Sequence, residues 1–151
     1  MIREGHPEDL AALKAIQSSA LAETWPELLE LSVDGPQTLL VSTDETTGDA
    51  RRDTPIAYAL AIAADDVAYL AEIAVTPSAQ GEGRGSALLG ALIERFRDTS
   101  VTEIRLTARA DDDAVHAFYD DFDFEARQRI ADHYADGDGL LFVREFTDHS
   151  G

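Results

Sequence analysis

The sequence predicts an α/β fold built on a mixed sheet flanked by helices. Three observations predict it. Apolar segments of strand length alternate with segments of helical period, in the order strand, helix, helix, three strands, helix, strand, helix, two strands. Residues 69–96, YLAEIAVTPSAQGEGRGSALLGALIERF, carry an apolar strand through a proline-containing turn and a glycine-rich loop straight into an amphipathic helix. At 151 residues the chain is long enough to bury a full core as one domain. Residues 1–146 are expected to form it, with 147–151, TDHSG, as a frayed tail.

Each element has a local reason. Ile2-Arg3 opens a short strand, and a helix is expected from Pro7, with acidic residues in its first turn and Leu10, Leu13 and Ile16 on one side. A second short helix is expected from Pro26 to Leu31. Thr38 to Ser42 is a strand, and the polar DETTGDARRDT segment after it reads as an exposed hairpin loop. Ile56 to Ala63 is the next strand, Asp65-Asp66 a turn, and Val67 to Val75 the strand that feeds the glycine loop. From Gly85 to Arg97 the chain is helical, with Leu88, Leu89, Leu92, Ile93 and Phe96 on the buried side. Glu103 to Ala108 is a strand, and ADDDAVHAFYDDFDF reads as an acidic N-cap region followed by a helix. Phe124 to Ile130 and Gly139 to Phe146 are the last strands, separated by ADHYADGD.

Charge excludes several classes of function. There are 30 acidic residues against 12 basic ones, a net charge of −18, and Lys14 is the sole lysine. Such a chain repels nucleic acid and anionic membrane, so neither is an expected partner. No run of eighteen apolar residues suits a membrane span, and MIREGHPEDL lacks the basic and apolar regions of a secretory signal. A cytoplasmic location is expected. Cysteine is absent, and the four histidines (His6, His116, His133, His149) have no zinc-ligand spacing, so no metal is expected. The acidic excess suggests a surface adapted to high salt and a halophilic source; an acidic protein-binding face is the other reading. The melting temperature should then rise from dilute buffer to molar KCl, because salt screens self-repulsion. A flat or falling curve in a thermal scan would contradict the salt-adapted surface.

The glycine loop points to an anion. Gly81, Gly83 and Gly85 leave a run of backbone N–H groups with no side chain in front of them. At a helix start, unpaired amides and the helix dipole both favour negative charge, so phosphate or pyrophosphate is the expected ligand. A P-loop requires Gly-Lys followed by Ser or Thr, and no lysine stands here. A dinucleotide fingerprint requires G-x-G-x-x-G, whereas the spacing here is G-x-G-x-G after an antiparallel-looking hairpin. A glycine-rich turn with no ligand suits the same six residues.

With the IAV strand before it, Gln80-x-x-Gly83-x-Gly85 resembles the acyl-CoA signature Q/R-x-x-G-x-G/A of the GNAT N-acetyltransferases. The order of elements and the opening I-R-x-x-x-P-E-D-L resemble that family over nearly the whole chain. The resemblance implies a largely antiparallel sheet with helices on both faces. It also implies acetyl-CoA as co-substrate and transfer to a primary amine by direct attack. The cofactor-binding residues it implies are Ile73, Ala74 and Val75, whose backbone polarises the thioester, and Gln80, Gly81, Glu82, Gly83, Arg84, Gly85 and Ser86 around the pyrophosphate. Arg84 adds charge there, whereas Glu82 departs from the basic or neutral residues common in the family.

Asp112-x-Ala114-x-x-Ala117-Phe118-Tyr119 resembles the family's N-x-A-x-x-x-Y helix. Tyr119 is accordingly the candidate proton donor to the CoA thiolate, and Asp112 stands where the family has a cofactor-binding Asn. A tyrosine with an ordinary pKa of about 10 suits a thiolate better than a carboxylic acid does; a core aromatic beside Phe118 and Phe122 is the alternative. Asp123 replaces a glycine before the last aromatic, and Asp is among the better substitutes at positive φ. Alternation puts Leu70, Glu72 and Ala74 on one face of their strand, so Glu72 is either the base in the acceptor cleft or an edge residue facing water.

The C-terminal half most resembles the ribosomal-protein alanine N-acetyltransferase branch: His133-Tyr134 falls where that branch has Tyr-Tyr, and Thr107 where it has a glutamate. A protein or peptide N-terminus is therefore the favoured acceptor, with Trp25 and Tyr134 lining its cleft, and a small-molecule amine next. A monomer or homodimer is expected. A GNAT-like domain that binds acyl-CoA as a sensor or scaffold without turnover is the alternative.

Overall fold

Strand β1 (Ile2–Glu4) leads through a single 3₁₀ turn (Pro7–Asp9) into α1 (Leu10–Ala20). The computed structural model describes residues 2–21, 26–33, 37–43, 54–134 and 137–146, the side chain of Tyr134 excepted. Helix α2 (Pro26–Ser32), strands β2 (Thr38–Thr43), β3 (Pro55–Ala64) and β4 (Val67–Val75), and helix α3 (Arg84–Arg97) follow. Strand β5 (Glu103–Arg109), helix α4 (Asp113–Asp120), and strands β6 (Glu125–Tyr134) and β7 (Gly137–Glu145) complete the chain. The strands form a seven-stranded mixed sheet in the order β1-β2-β3-β4-β5-β7-β6. The β4–β5 pair is parallel; β1–β2, β2–β3, β5–β7 and β6–β7 are antiparallel.

The chain divides into two compact units, residues 1–62 with 71–95, and residues 63–70 with 96–151. In the first unit, Leu13 and Ile16 of α1, Leu28 and Leu29 of α2, Leu39 and Val41 of β2, Tyr58 and Leu60 of β3, and Ala74 of β4 form one apolar cluster. Burying each such side chain contributes about 1.5–3 kcal/mol. On α3, Leu88, Leu89, Leu92, Ile93 and Phe96 are all buried, as their spacing requires. The helix expected from Pro7 begins as a 3₁₀ turn, in which the Asp9 amide donates to the His6 carbonyl at 2.9 Å and the Leu10 amide to the Pro7 carbonyl, and the Asp9 side chain closes the start. Its carboxylate accepts from both terminal nitrogens of Arg3, at 2.8 and 3.0 Å, and from the His6 amide at 2.8 Å. Burial raises the affinity of Asp9 for a proton, but the Arg3 and His6 hydrogen bonds outweigh it and hold the carboxyl below its ordinary range.

In the second unit, β4 pairs with β5 from Val67↔Glu103 to Tyr69↔Arg105, whereas β4 itself runs on to Val75. Strand β5 alternates strictly, with Ile104, Leu106 and Ala108 buried. Asp112 caps α4 by accepting from the Val115 amide at 3.2 Å. The helix stops at a turn whose Asp123 has φ 66°, the conformation expected of a glycine substitute there.

The last hairpin is longer than its sequence suggests. β6 continues past Ile130 to Tyr134, so His133 and Tyr134 belong to a strand rather than to a loop. A register shift between Ile130 and Tyr134 absorbs the extra residues, with Asp132 at φ 53°. Asp138 pins it, accepting from the Asp132 amide at 2.9 Å and from Arg129 Nε at 2.7 Å.

Candidate active site

The glycine turn has the backbone that its residue types require. Gly81 and Gly83 have φ of +84° and +81°, a region that residues with a Cβ enter only at a cost of about 1–2 kcal/mol. A Cβ built on either glycine meets nothing within 4 Å, so there is open space beside the turn at both positions. Helix α3 starts at Arg84, and the Ala87 amide donates to the Gly83 carbonyl at 3.0 Å. The amides of Arg84, Gly85 and Ser86 precede that first helical bond, so no helical carbonyl lies behind them. Donor amides at a helix start are what an anionic oxygen needs.

Side chains around the turn shape it. Gln80 donates from Nε2 to the Val75 carbonyl at 3.0 Å, tying the start of the turn to the end of β4. Arg84 donates from Nε to Glu82 at 3.1 Å and from a terminal nitrogen to Ser42 Oγ at 3.1 Å and the Thr43 carbonyl at 3.4 Å. Glu82 therefore neutralises part of the Arg84 charge, which leaves backbone amides as the main source of positive potential. Ile73, Ala74 and Val75 lie on the part of β4 beyond its ladder with β5.

Glu72 is half-buried on the same side of β4 as buried Leu70 and Ala74, and it is not an edge residue facing water. Gln17 Nε2 donates to both carboxylate oxygens, at 2.9 Å to Oε1 and 3.1 Å to Oε2. Tyr58 donates its hydroxyl to Oε1 at 2.8 Å. Gln17 and Tyr58 are 1% and 0% exposed, so their polar atoms require partners inside the protein. Burial, then the Glu72 charge and the bond to it, push the Tyr58 hydroxyl well above its ordinary range, and it stays a donor through neutral pH. Sequence reading missed both partners. The available signals were a glutamine four residues after Leu13 on the apolar face of α1, and one tyrosine in an otherwise aliphatic strand.

In the second unit, Tyr119 is 7% exposed on α4. Its ring packs against Phe118, Phe124 and Phe142, with centroids 5.1, 5.5 and 6.2 Å away. The Asp112 carboxylate is engaged as the cap of the same helix. His133 packs over Gly139 beside Thr107. Trp25 and the Tyr134 side chain lie outside the described residues. Among the described residues no cluster of His, Cys, Asp or Glu is arranged for a metal ion, and no helix is long and apolar enough to cross a membrane.

The model of the acetyltransferase (GNAT) family matches residues 10–124. The ribosomal-protein-S18-alanine N-acetyltransferase of Escherichia coli is 26% identical, with a TM-score of 0.84 over 99% of this chain and 97% of that one. Ard1 of Thermoplasma volcanium is 23% identical, with a TM-score of 0.84 over 98% of each chain. Arabidopsis thaliana NAA60, solved with a bisubstrate analogue, is 17% identical, with a TM-score of 0.84 over 97% of this chain and 99% of that one. The likeness to these last two concerns the fold. No curated protein matches the sequence.

Proposed function

Because the chain belongs to the acetyltransferase (GNAT) family, we propose that it transfers the acetyl group of acetyl-CoA to a primary amine, by preference the α-amine of a peptide or protein. The observation that carries this reading is the glycine turn itself, where Gly81 and Gly83 take positive φ immediately before the helix-start amides of α3. Acetyl-CoA is a substrate here. Its pyrophosphate suits the amides of residues 81–86, and its thioester suits backbone donors on Ile73–Val75.

The chain's own residues supply the proton transfers. An amine arrives as an ammonium ion at neutral pH and must lose a proton before it can attack. Glu72 takes that proton. The amine lone pair attacks the thioester carbon, a C–N bond forms, and the C–S bond breaks. The departing thiolate takes the Tyr119 hydroxyl proton. The surplus proton on nitrogen returns to Tyr119 through water, and Glu72 releases its own to solvent. No enzyme nucleophile is needed, and the chain has no cysteine to serve as one.

Several features support a peptide acceptor: the 26% identity to an enzyme that acetylates a ribosomal-protein alanine, His133-Tyr134 on β6, and the acidic excess that attracts a cationic N-terminus. Trp25 and Tyr134 are proposed to contact that peptide.

A competition assay with acetyl-CoA, short peptides beginning with alanine, polyamines and aminoglycosides at high salt tests the acceptor. Peptides are expected to be acetylated fastest. Unmodified peptides beside an efficiently acetylated small amine would overturn the peptide preference and leave the acetyltransferase reading in place.

A further inference from the structure

We propose that Gln17 and Tyr58 are positioning residues that clamp the Glu72 carboxylate in one orientation and reserve its Oε2 atom for the incoming ammonium ion. The inference deepens the proposed function and rests on it, since it concerns the residue assigned there as base.

The hydrogen-bond count makes the two oxygens unequal. Oε1 accepts from Tyr58 at 2.8 Å and from Gln17 at 2.9 Å, which occupies both of its in-plane positions. Among the described residues Oε2 accepts only the longer Gln17 bond, at 3.1 Å, and keeps a lone pair for a further donor. Gln17 Nε2 bridges the two oxygens, and the Tyr58 bond to Oε1 adds a second anchor off that axis, so the two donors together restrict rotation of the carboxylate. The amide orientation is set by charge: the opposite flip would set a carbonyl oxygen against a carboxylate. Both clamping groups are neutral, and among the described residues no lysine or arginine pairs with Glu72. A half-buried carboxylate whose bonds come from neutral donors has no countercharge beside it, and an alkylammonium ion is the ligand that complements it.

The clamp also has a rigid base. Gln17 is on α1, 55 residues from Glu72 in sequence, and Tyr58 is 14 residues away on β3. Tyr58 belongs to the apolar cluster with Leu13, Ile16, Leu60 and Ala74, and Gln17 is buried one residue after Ile16 on α1. Neither has to move to hold the carboxylate, so the orientation exists before substrate arrives.

The test compares Tyr58→Phe, Gln17→Met and Glu72→Gln with the parent at high salt. Acetyl-CoA and a short peptide beginning with alanine serve as substrates, and the pH profile of kcat/KM is the main readout. Tyr58→Phe keeps the ring and removes only the donor, so it is the variant least prone to unfold. It should lower kcat about tenfold or more, as loss of a hydrogen bond to a charged group implies, with acetyl-CoA affinity unchanged. The acidic limb of the profile should move to higher pH, because fewer donors then favour the charged carboxylate. A purely structural pair would lower stability without moving that limb. Carboxyl ¹³C signals of labelled glutamate, with Glu72 assigned by its loss in Glu72→Gln, give a readout independent of turnover. The Glu72 signal should titrate at higher pH in Tyr58→Phe than in the parent.

If Glu72→Gln is inactive while the other two variants keep the parent's kcat, limb and ¹³C titration, the clamp is refuted and the base stands. Full turnover by Glu72→Gln refutes both. A parent inactive toward every amine overturns the proposed function itself, and with it the reservation of Oε2 for an ammonium substrate.

Discussion

Tyr119→Phe should turn over acetyl-CoA about 10²- to 10⁴-fold more slowly than the parent, the range typical of a lost general acid. The change removes one oxygen and nothing else from a side chain that is 7% exposed. Its edge-on contacts with Phe118 and Phe124 involve the ring, which phenylalanine retains. Folding should therefore survive, and the affinity for acetyl-CoA should stay close to the parent's. A loss confined to kcat marks an interaction made in the transition state rather than in the ground state. The measurement is single-turnover acetyl transfer, where chemistry and not product release sets the rate. Parental turnover would reduce Tyr119 to an aromatic of the α4 core. A parent that binds acetyl-CoA but never transfers the acetyl group would favour a sensor or scaffold instead.

Gly83→Val should all but abolish acetyl-CoA binding while leaving the protein folded. Two effects act together. At φ +81° a β-branched residue is strained, so the turn is driven toward a different backbone and its amides lose their common aim. The added methyl groups also enter the open space where the pyrophosphate is proposed to sit. Because a Cβ there meets nothing within 4 Å, the folding penalty is limited to backbone strain of about 1–2 kcal/mol. That is small against the roughly 5–15 kcal/mol stability of an ordinary domain. Gly83→Asn separates the two effects, since asparagine tolerates positive φ and keeps the turn while still filling the space. Isothermal calorimetry at matched salt should show severe weakening for valine and an intermediate loss for asparagine. Unchanged affinity in a folded valine variant would remove the pyrophosphate from this turn.

Much of this architecture was legible in local chemistry. The order of elements followed from apolar period, because strand and helix periods of 2 and 3.6 residues leave different marks. The glycine turn was legible because only glycine enters positive φ without penalty, and Asp123 could be read as the substitute for a glycine in the turn after α4. The β6–β7 hairpin was read too short for a related reason. Its distal residues, Ala131 to Asp138, have no apolar alternation, and the pairing rests on a bulge and on Asp138, whose partners are Arg129 and Asp132.

The residues alone therefore carried the fold class and the glycine turn, since each depends on chemistry within a few positions of the chain. The environment of Glu72 came only from folding. Strand alternation placed it on the face of Leu70 and Ala74, yet alternation cannot say what covers that face. Its partners come from α1 and β3, 55 and 14 residues away, and a glutamine or tyrosine in an apolar run looks the same in sequence whether it meets a carboxylate or another polar group. Long-range juxtaposition is a property of packing, so the hydrogen bonds that make Glu72 a held carboxylate exist only in the tertiary structure.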